Sequence, residues 1–290
     1  MKNIPNCLCY NQKLLMTGNV WELLLYEKSV YKGTQTKQRE RIGRKNAANT
    51  SEETKKENRR KTAYRAKRYV RLMANANPDL DRFFTCTFAD NPEMMTDLAK
   101  AHREFQKFIK RVQTYINRER KKKGLPPKKI KYIAVTEFQK RGAIHFHLLC
   151  NFDYIYFKEL GKLWRNGTIY IKRIDDVDNV GAYITKYMTK ENIDERLKGK
   201  KCYTMSKGLK TPTVYTNEKK IKKIMESIPE KDIIRTITKE YESEYYGKIT
   251  YIQIVLKSVP KISHRKRGLL DFTNRRLVRL SDDLPTPFDE

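Results

Sequence analysis

Two strand-like segments separated by a compact turn lie near the middle of the chain. They are KYIAVTEF (131–138) and AIHFHLLC (143–150), and both have the apolar, β-rich composition of buried strands. If the loop between them is the three residues Lys140-Arg141-Gly142, then Gly142 occupies the left-handed position of a G1 bulge, which favours glycine. The pattern therefore predicts an antiparallel hairpin whose register decides which side chains share a face.

That register determines whether three metal-ligand side chains meet. His145 and His147 are two residues apart, so their imidazoles project from one face of a strand. With a three-residue loop, Glu137 lies opposite His145 and diagonal to His147, whereas a two-residue loop would turn Glu137 away. Two imidazoles and a carboxylate with open coordination positions suit Mg²⁺ or Mn²⁺. The alternative is that both histidines simply form hydrogen bonds within the core.

The segments around the hairpin complete a β-α-β-β-α-β order that a further helix follows. The flanking elements are a strand at 82–89, a helix from Asn91-Pro92 to the basic run RERKKKG, a helix at FKELGKLW, a strand at 167–174 and a helix at 180–190. This order predicts an α+β fold of the ferredoxin-like or split-βαβ type, with an antiparallel sheet and helices on one face.

The remaining sequence is expected to form additions to this central domain. We place a basic, partly helical region at 1–77, the central domain at 78–215, a β-rich extension at 216–258 and a charged tail at 259–290. Residues 1–35 give no clear pattern. The two β-rich runs of the extension either lengthen the central sheet or form a small hairpin.

The chain is strongly basic, with 63 Lys and Arg residues against 34 Asp and Glu residues and a formal net charge of +29. Such a surplus favours a polyanionic partner, because each phosphate that Lys or Arg contacts releases condensed counterions. At 39% hydrophobic residues the chain is expected to fold. Nucleic acid is therefore the expected partner, with an anionic membrane surface as the second choice. Basic segments at 53–71, 118–129 and 198–210 are candidates for DNA contacts.

Nothing in the sequence indicates export or membrane insertion. The five cysteines show neither a CxxC pair nor zinc-finger spacing. The stretch LLMTGNVWELLLY is too short and polar to span a bilayer, and no signal-peptide cleavage site follows it. We therefore expect a cytoplasmic protein with no membrane partner.

The string YITKYMTK repeats a tyrosine followed by a lysine three residues later. On a helix, Tyr183 and Tyr187 share one face, as do Lys186 and Lys190. A phenol with an ordinary pKa of about 10 is a weak nucleophile, so it would need a metal and nearby cations to attack a phosphate. The alternative is an amphipathic helix with half-buried tyrosines and lysines that extend to solvent.

Together these motifs resemble those of the HUH endonuclease superfamily, and within it the rolling-circle replication initiators of small phages and plasmids. The matching strings are His145-Phe146-His147 with Glu137 upstream, the Y-x-x-K motif present twice, and the strand FFTCTF. They follow the family's order and span about residues 83–190. Cys86 stands where the first motif usually has an aliphatic residue.

The resemblance implies a DNA endonuclease and strand transferase acting on single-stranded DNA at a replication origin. A tyrosine would attack a phosphodiester, leaving a 5′-phosphotyrosine link and a 3′-OH primer. The implied site residues are Glu137, His145 and His147 for the metal, and Tyr183, Tyr187, Lys186 and Lys190 for catalysis. No G-x-x-x-x-G-K-[ST] string occurs, so a separate helicase and DNA polymerase are expected partners.

Two other kinds of protein remain possible at this stage. Conjugative relaxases and single-strand transposases share the HUH chemistry, but relaxases commonly carry their tyrosine before the histidine motif, and here it follows. A non-catalytic single-strand-binding protein would need exposed aromatic residues on its sheet. The central strands have no such pattern, and that function would leave the histidine and tyrosine motifs unexplained.

Overall fold

A computed structural model describes residues 8–32, 51–89, 97–139, 142–174, 177–188, 197 and 200–260. The described residues form an α+β fold with ten strands in two antiparallel sheets and five α-helices. The strands are β1 (Leu8–Thr17), β2 (Val20–Lys32), β3 (Arg82–Phe88), β4 (Tyr132–Phe138), β5 (Ile144–Cys150), β6 (Gly167–Arg173), β7 (Tyr203–Met205), β8 (Thr213–Tyr215), β9 (Ile233–Ser243) and β10 (Gly247–Leu256). The helices are α1 (Glu52–Asn75), α2 (Leu98–Lys122), α3 (Phe157–Trp164), α4 (Val180–Thr185) and α5 (Glu218–Glu226).

The chain divides into two compact units, one of residues 66–211 and one of residues 1–65 with 212–290. The sheet of the 66–211 unit has the order β6-β3-β5-β4-β7. Strand β5 pairs antiparallel with both β3 and β4, so these two run parallel to each other with β5 between them. The strands predicted between residues 82 and 174 are all present.

Helices cover both faces of this sheet, so the expectation of helices on one face was wrong. On one face the apolar side of α2, including Phe105 and Val112, packs with Trp164 of α3 against Phe146. On the other face the last turns of α1 and helix α4 pack over Phe83 and Leu149. Strand β5 is buried at every position, because successive side chains point to opposite faces and most are apolar.

Helix α2 begins later than the Asn91-Pro92 pair, which lies outside the described residues. Its first residue is Leu98, and the side chain of Asp97 accepts a hydrogen bond from the Lys100 amide at 2.9 Å. This arrangement satisfies one of the amide groups that a helix start leaves without an intrahelical partner. The helix ends in its predicted basic run, and Gly124 follows with a φ of +67°.

The other unit contains a second five-stranded sheet that the sequence patterns did not predict. Its order is β8-β1-β2-β10-β9, so the C-terminal strands pair with the N-terminal hairpin instead of lengthening the central sheet. The hairpin turns at Gly18, whose φ of +62° suits the first position of a two-residue type II′ loop. Helix α5 packs Ile221 and Ile224 on one face of this sheet, against Trp21 and its neighbours.

Two further sequence expectations concern cysteines and membranes. Cys86 and Cys150 are buried free thiols within β3 and β5, where each acts as a small hydrophobic side chain. Burial raises the pKa of the Cys86 thiol, which keeps it protonated. Within the described ranges, none of the helices combines the length and the apolar character needed to cross a lipid bilayer.

Candidate active site

The β4–β5 hairpin brings Glu137, His145 and His147 together. Glu137 pairs directly with His145 in the sheet, which is the predicted register. The Oε2 atom of Glu137 lies 2.5 Å from Nε2 of His147, and the ligand atoms of all three residues lie within 4.8 Å of one another. Both imidazoles are buried, whereas the carboxylate is partly exposed. These three side chains could therefore hold a metal ion that remains accessible from one side.

The turn that sets this register contains Gly142 in a left-handed conformation. Its φ is +87°, and its amide donates a hydrogen bond to the Gln139 carbonyl at 2.7 Å. The Gln139 amide in turn donates to the Ala143 carbonyl at 2.9 Å. Lys140 and Arg141 lie outside the described residues. The glycine stands where the predicted bulge requires it, which fixes the strand pairing that follows.

The second ring nitrogen of His147 contacts a residue whose role the sequence did not reveal. Nδ1 of His147 lies 3.0 Å from Oγ1 of Thr85, and the two residues are direct partners in the β3–β5 pairing. A hydrogen bond at one nitrogen fixes the ring orientation and leaves the other nitrogen available as a ligand. Thr85 belongs to the FFTCTF string, so its threonine was part of a recognised motif without an assigned contact.

The tyrosine segment is only partly helical. Helix α4 ends at Thr185, and the prediction that it continues to Lys190 was wrong for residues 186–188. The amides of Lys186 and Tyr187 bond to carbonyls three residues earlier, as in the tighter 3₁₀ geometry that often closes a helix. Thr185 lies at this transition, and its hydroxyl donates to the Gly181 carbonyl at 2.8 Å, a bond that competes with regular helix geometry. Lys190 lies outside the described residues.

Both tyrosines lie on the sheet face that carries the histidines. The ring of Tyr187 stacks on His147 with centroids 3.7 Å apart and planes at 19°. Phe83 lies beside both rings and also meets Tyr183 edge to face, with centroids 5.1 Å apart. The two tyrosine rings are 6.2 Å apart. The sequence-predicted metal ligands and tyrosines thus form one cluster, although they come from separate elements.

The surroundings of Tyr187 raise the pKa of its phenol. Burial is the main cause, followed by a hydrogen bond with Tyr183 and the negative charge of Glu137. Each of these favours the neutral phenol, so Tyr187 is protonated at neutral pH. A cation bound between Glu137 and the histidines would act in the opposite direction, because it would offset the carboxylate charge.

Two lysines lie beside Tyr183. The Nζ atom of Lys186 is 5.6 Å from the centre of the Tyr183 ring, and the Nζ atom of Lys172 is 5.4 Å from it. Both lysines are exposed, so their charges are available to an anion. Lys172 was not predicted, because it reaches the site through the pairing of β6 with β3, where it lies opposite Phe83. Its only sequence signal is its position on the same face of GTIYIKR as Tyr170.

Comparison with family models adds independent information about this part of the chain. Residues 81–192 match the model of a family described as Replication-associated protein ORF2. The matched segment contains β3 through the tyrosine segment, and therefore every described residue of the cluster. Searches of curated proteins and of solved structures gave no significant match. The family match supports a replication-associated protein of the initiator type.

Helix α4 is held in place by a close contact with α1. Asn75 of α1 is buried, and its Oδ1 accepts a hydrogen bond from the Gly181 amide at 2.6 Å. Its Nδ2 donates to Oδ1 of Asn179, which also caps the Ala182 amide. A side chain at Gly181 would bring its Cβ within 2.3 Å of the Arg71 carbonyl oxygen. The position of the tyrosine segment therefore depends on a glycine that permits this approach.

We predict that Gly181→Ala displaces helix α4 and lowers the free energy of unfolding by about 1–3 kcal/mol, because backbone atoms must move to accept the methyl group. Gly161→Ala is the matched control, since a Cβ at Gly161 in helix α3 meets no atom within 4 Å. That control should be neutral or stabilising by up to about 1 kcal/mol. Urea unfolding of both variants provides the measurement, and equal midpoints for the two would contradict the prediction.

Proposed function

We propose that this protein initiates rolling-circle DNA replication by nicking and rejoining single-stranded DNA through a 5′-phosphotyrosine link. The observation that carries the proposal is the stacking of Tyr187 on His147, which places a tyrosine hydroxyl beside three possible metal ligands. The family match over residues 81–192 supports the same conclusion independently.

The strand order supports the proposed relation to HUH endonucleases. Strands β3 and β4 are connected through α2 and run parallel with β5 between them, and the β5–α3–β6 connection places β6 beside β3. The order β6-β3-β5-β4 corresponds to a split-βαβ, ferredoxin-like sheet. Strand β7 is an additional edge strand beside β4.

In the proposed reaction, one tyrosine Oη attacks the phosphorus of a scissile phosphodiester while the phenol gives up its proton. The bond between phosphorus and the 3′ oxygen breaks, and that oxygen takes up a proton to become the 3′-OH primer. The tyrosine retains the 5′ phosphate. Mg²⁺ or Mn²⁺ held by Glu137, His145 and His147 would polarise the phosphate and favour attack. Lys172 and Lys186 would balance the charge on the phosphate oxygens.

A second tyrosine allows the reaction to be repeated in a later transesterification. The two tyrosines have different surroundings, because Tyr187 stacks on a candidate metal ligand and Tyr183 lies beside two lysines. Joining reverses the first reaction, since a 3′-OH attacks a phosphotyrosine and releases the phenol. Strand separation and synthesis are left to a separate helicase and DNA polymerase.

We predict that His145→Ala, His147→Ala and Glu137→Gln each lower metal-dependent cleavage of an origin oligonucleotide by about a hundredfold or more, because each removes a ligand. His102→Gln is the matched histidine control. It packs against Phe146 on the opposite face of the sheet, so cleavage should stay within about twofold of the unsubstituted protein. Equal rates for the ligand variants and the control would refute the metal site. Excess EDTA should abolish cleavage in all of them.

Thr85→Val tests the orientation of His147 separately from its identity. Valine has nearly the volume of threonine but cannot form the hydrogen bond to Nδ1, so we expect metal affinity to fall by about 10- to 100-fold. Titration of cleavage with Mn²⁺ measures this change. The maximal rate should be largely restored at saturating metal, and an unchanged Mn²⁺ dependence would show that Thr85 does not orient the ligand.

Tyr183→Phe and Tyr187→Phe test the nucleophile, because each removes one hydroxyl and retains the ring packing. We expect the double variant to form no covalent adduct with a 5′-labelled substrate that carries the scissile phosphate, as seen by denaturing gel electrophoresis. Each single variant then shows which hydroxyl performs the first attack. Tyr170→Phe is the control, since Tyr170 lies exposed on neighbouring β6 outside the motif. Adduct formation by the double variant would disprove the proposed mechanism.

A further inference from the structure

The loop between β5 and α3 exposes three large aromatic side chains within four residues. Tyr154 is 77% exposed, Tyr156 is 46% exposed and Phe157 is 60% exposed. We call these three residues the aromatic patch. Phe152 and Ile155 alternate with them and are buried in the core beneath the loop. Exposed apolar surface concentrated in this way marks an interaction site, because isolated exposed side chains are ordinary and clusters are not.

The loop that carries the aromatic patch is firmly anchored. The Asp153 carboxylate accepts hydrogen bonds from Arg120 at 2.9 Å and from Lys128 at 2.7 Å. The side-chain oxygen of Asn151 accepts one from the Lys131 amide at 2.8 Å, and Phe152 packs on Phe84. The loop is therefore organised before any partner binds, which reduces the entropy lost on binding.

Folding alone does not account for the residue at position 156. Tyr156 is the N-cap of helix α3, a position that favours Ser, Thr, Asp or Asn, and its side chain makes no capping hydrogen bond. Its ring instead lies 4.9 Å from that of Phe157, edge to face. An aromatic residue has replaced a stabilising cap, and both rings remain exposed.

The charge around the aromatic patch favours an anionic partner. The single carboxylate of the loop, Asp153, is neutralised by Arg120 and Lys128. Glu159, in the first turn of α3, is paired with Lys162 at 2.7 Å, and Lys158 beside Phe157 is exposed. Helix α2 ends nearby in the sequence of Arg120 with three consecutive lysines. Exposed aromatic rings among cations are the features that bind single-stranded nucleic acid, since bases stack on the rings and phosphates meet the cations.

We propose that the aromatic patch is a second single-stranded DNA-binding surface, which stacks unpaired bases outside the candidate active site. The proposal rests on the proposed function for the identity of the partner. The patch lies apart from the histidines, because its loop follows the opposite end of β5 and is anchored in the core on the α2 and α3 face. It would hold DNA that flanks the nicked phosphodiester.

The test measures binding of the full chain to a fluorescein-labelled 30-nucleotide oligo(dT) by fluorescence anisotropy, with EDTA present to prevent cleavage. Combined Tyr154→Ala, Tyr156→Ala and Phe157→Ala should weaken binding tenfold or more, because each stacked base contributes substantially. Combined Tyr154→Phe and Tyr156→Phe should bind like the unsubstituted protein, since the rings remain. Tyr31→Ala and Tyr245→Ala remove equally exposed rings elsewhere and should leave affinity unchanged.

Three further measurements make the result decisive. Tyr154→Ala alone, at the most exposed position, should weaken binding in the same direction without affecting folding. The slope of log Kd against log salt should stay unchanged in the alanine variants, because stacking releases no counterions. Affinity for a 30-base-pair duplex should change less than twofold, since paired bases are not available to stack.

Unchanged oligo(dT) affinity in the alanine variants would overturn the proposal, including a case in which the patch is needed only to recruit another protein. Equal losses for oligo(dT) and duplex would also overturn it. Cleavage of a short origin oligonucleotide with Mn²⁺ separates this proposal from the proposed function. Failure of the unsubstituted protein to cleave would refute the nicking function, whereas normal cleavage with unaltered binding in the variants would refute the patch alone.

Discussion

The pairing register between β4 and β5 is the constraint on which the candidate site depends. Side chains alternate between the two faces of a strand, so a slip of one residue would carry Glu137 to the face opposite the histidines. Gly142 prevents that slip because it adopts the left-handed conformation that the bulged turn requires. Pairing of β5 with β3 on its other side then adds Thr85 to His147. Three strands thus fix the ligand cluster before any metal binds.

The tyrosines are positioned by a different kind of contact. They lie at the end of a short helix, where a single turn supplies little stability of its own. Close packing of Gly181 against α1 and the hydrogen bonds of Asn75 hold that helix over the sheet. The candidate ligands therefore stand on rigid strands, whereas the candidate nucleophiles stand on a segment that tertiary contacts hold in place. This division suits a site in which the metal position stays fixed and the tyrosines must accept and release DNA.

Local sequence patterns predicted the parts of this structure that local physics determines. The hairpin, its turn glycine and the Glu137–His145 register follow from strand composition and loop length, and the structure confirms them. Thr85 and Lys172 reach the cluster only through strand pairings between distant segments, which no local pattern encodes. The second sheet escaped prediction for the same reason, because β2 pairs with β10 more than two hundred residues away in the chain. The early end of α4 at Thr185 reflects tertiary contacts that override helical periodicity.

The alternation of β3 divides the first motif into two sets of positions with different demands. Phe83 and Thr85 face the histidines and tyrosines, whereas Phe84 and Cys86 face the core beneath α2. The sulfur of Cys86 therefore points away from the candidate metal ligands and cannot compete for an ion. At positions of its parity the chain needs only volume and apolarity, so an aliphatic residue and a cysteine are equivalent there. Chemical identity is demanded only on the other face, where a substitution as small as one hydroxyl alters a ligand's orientation.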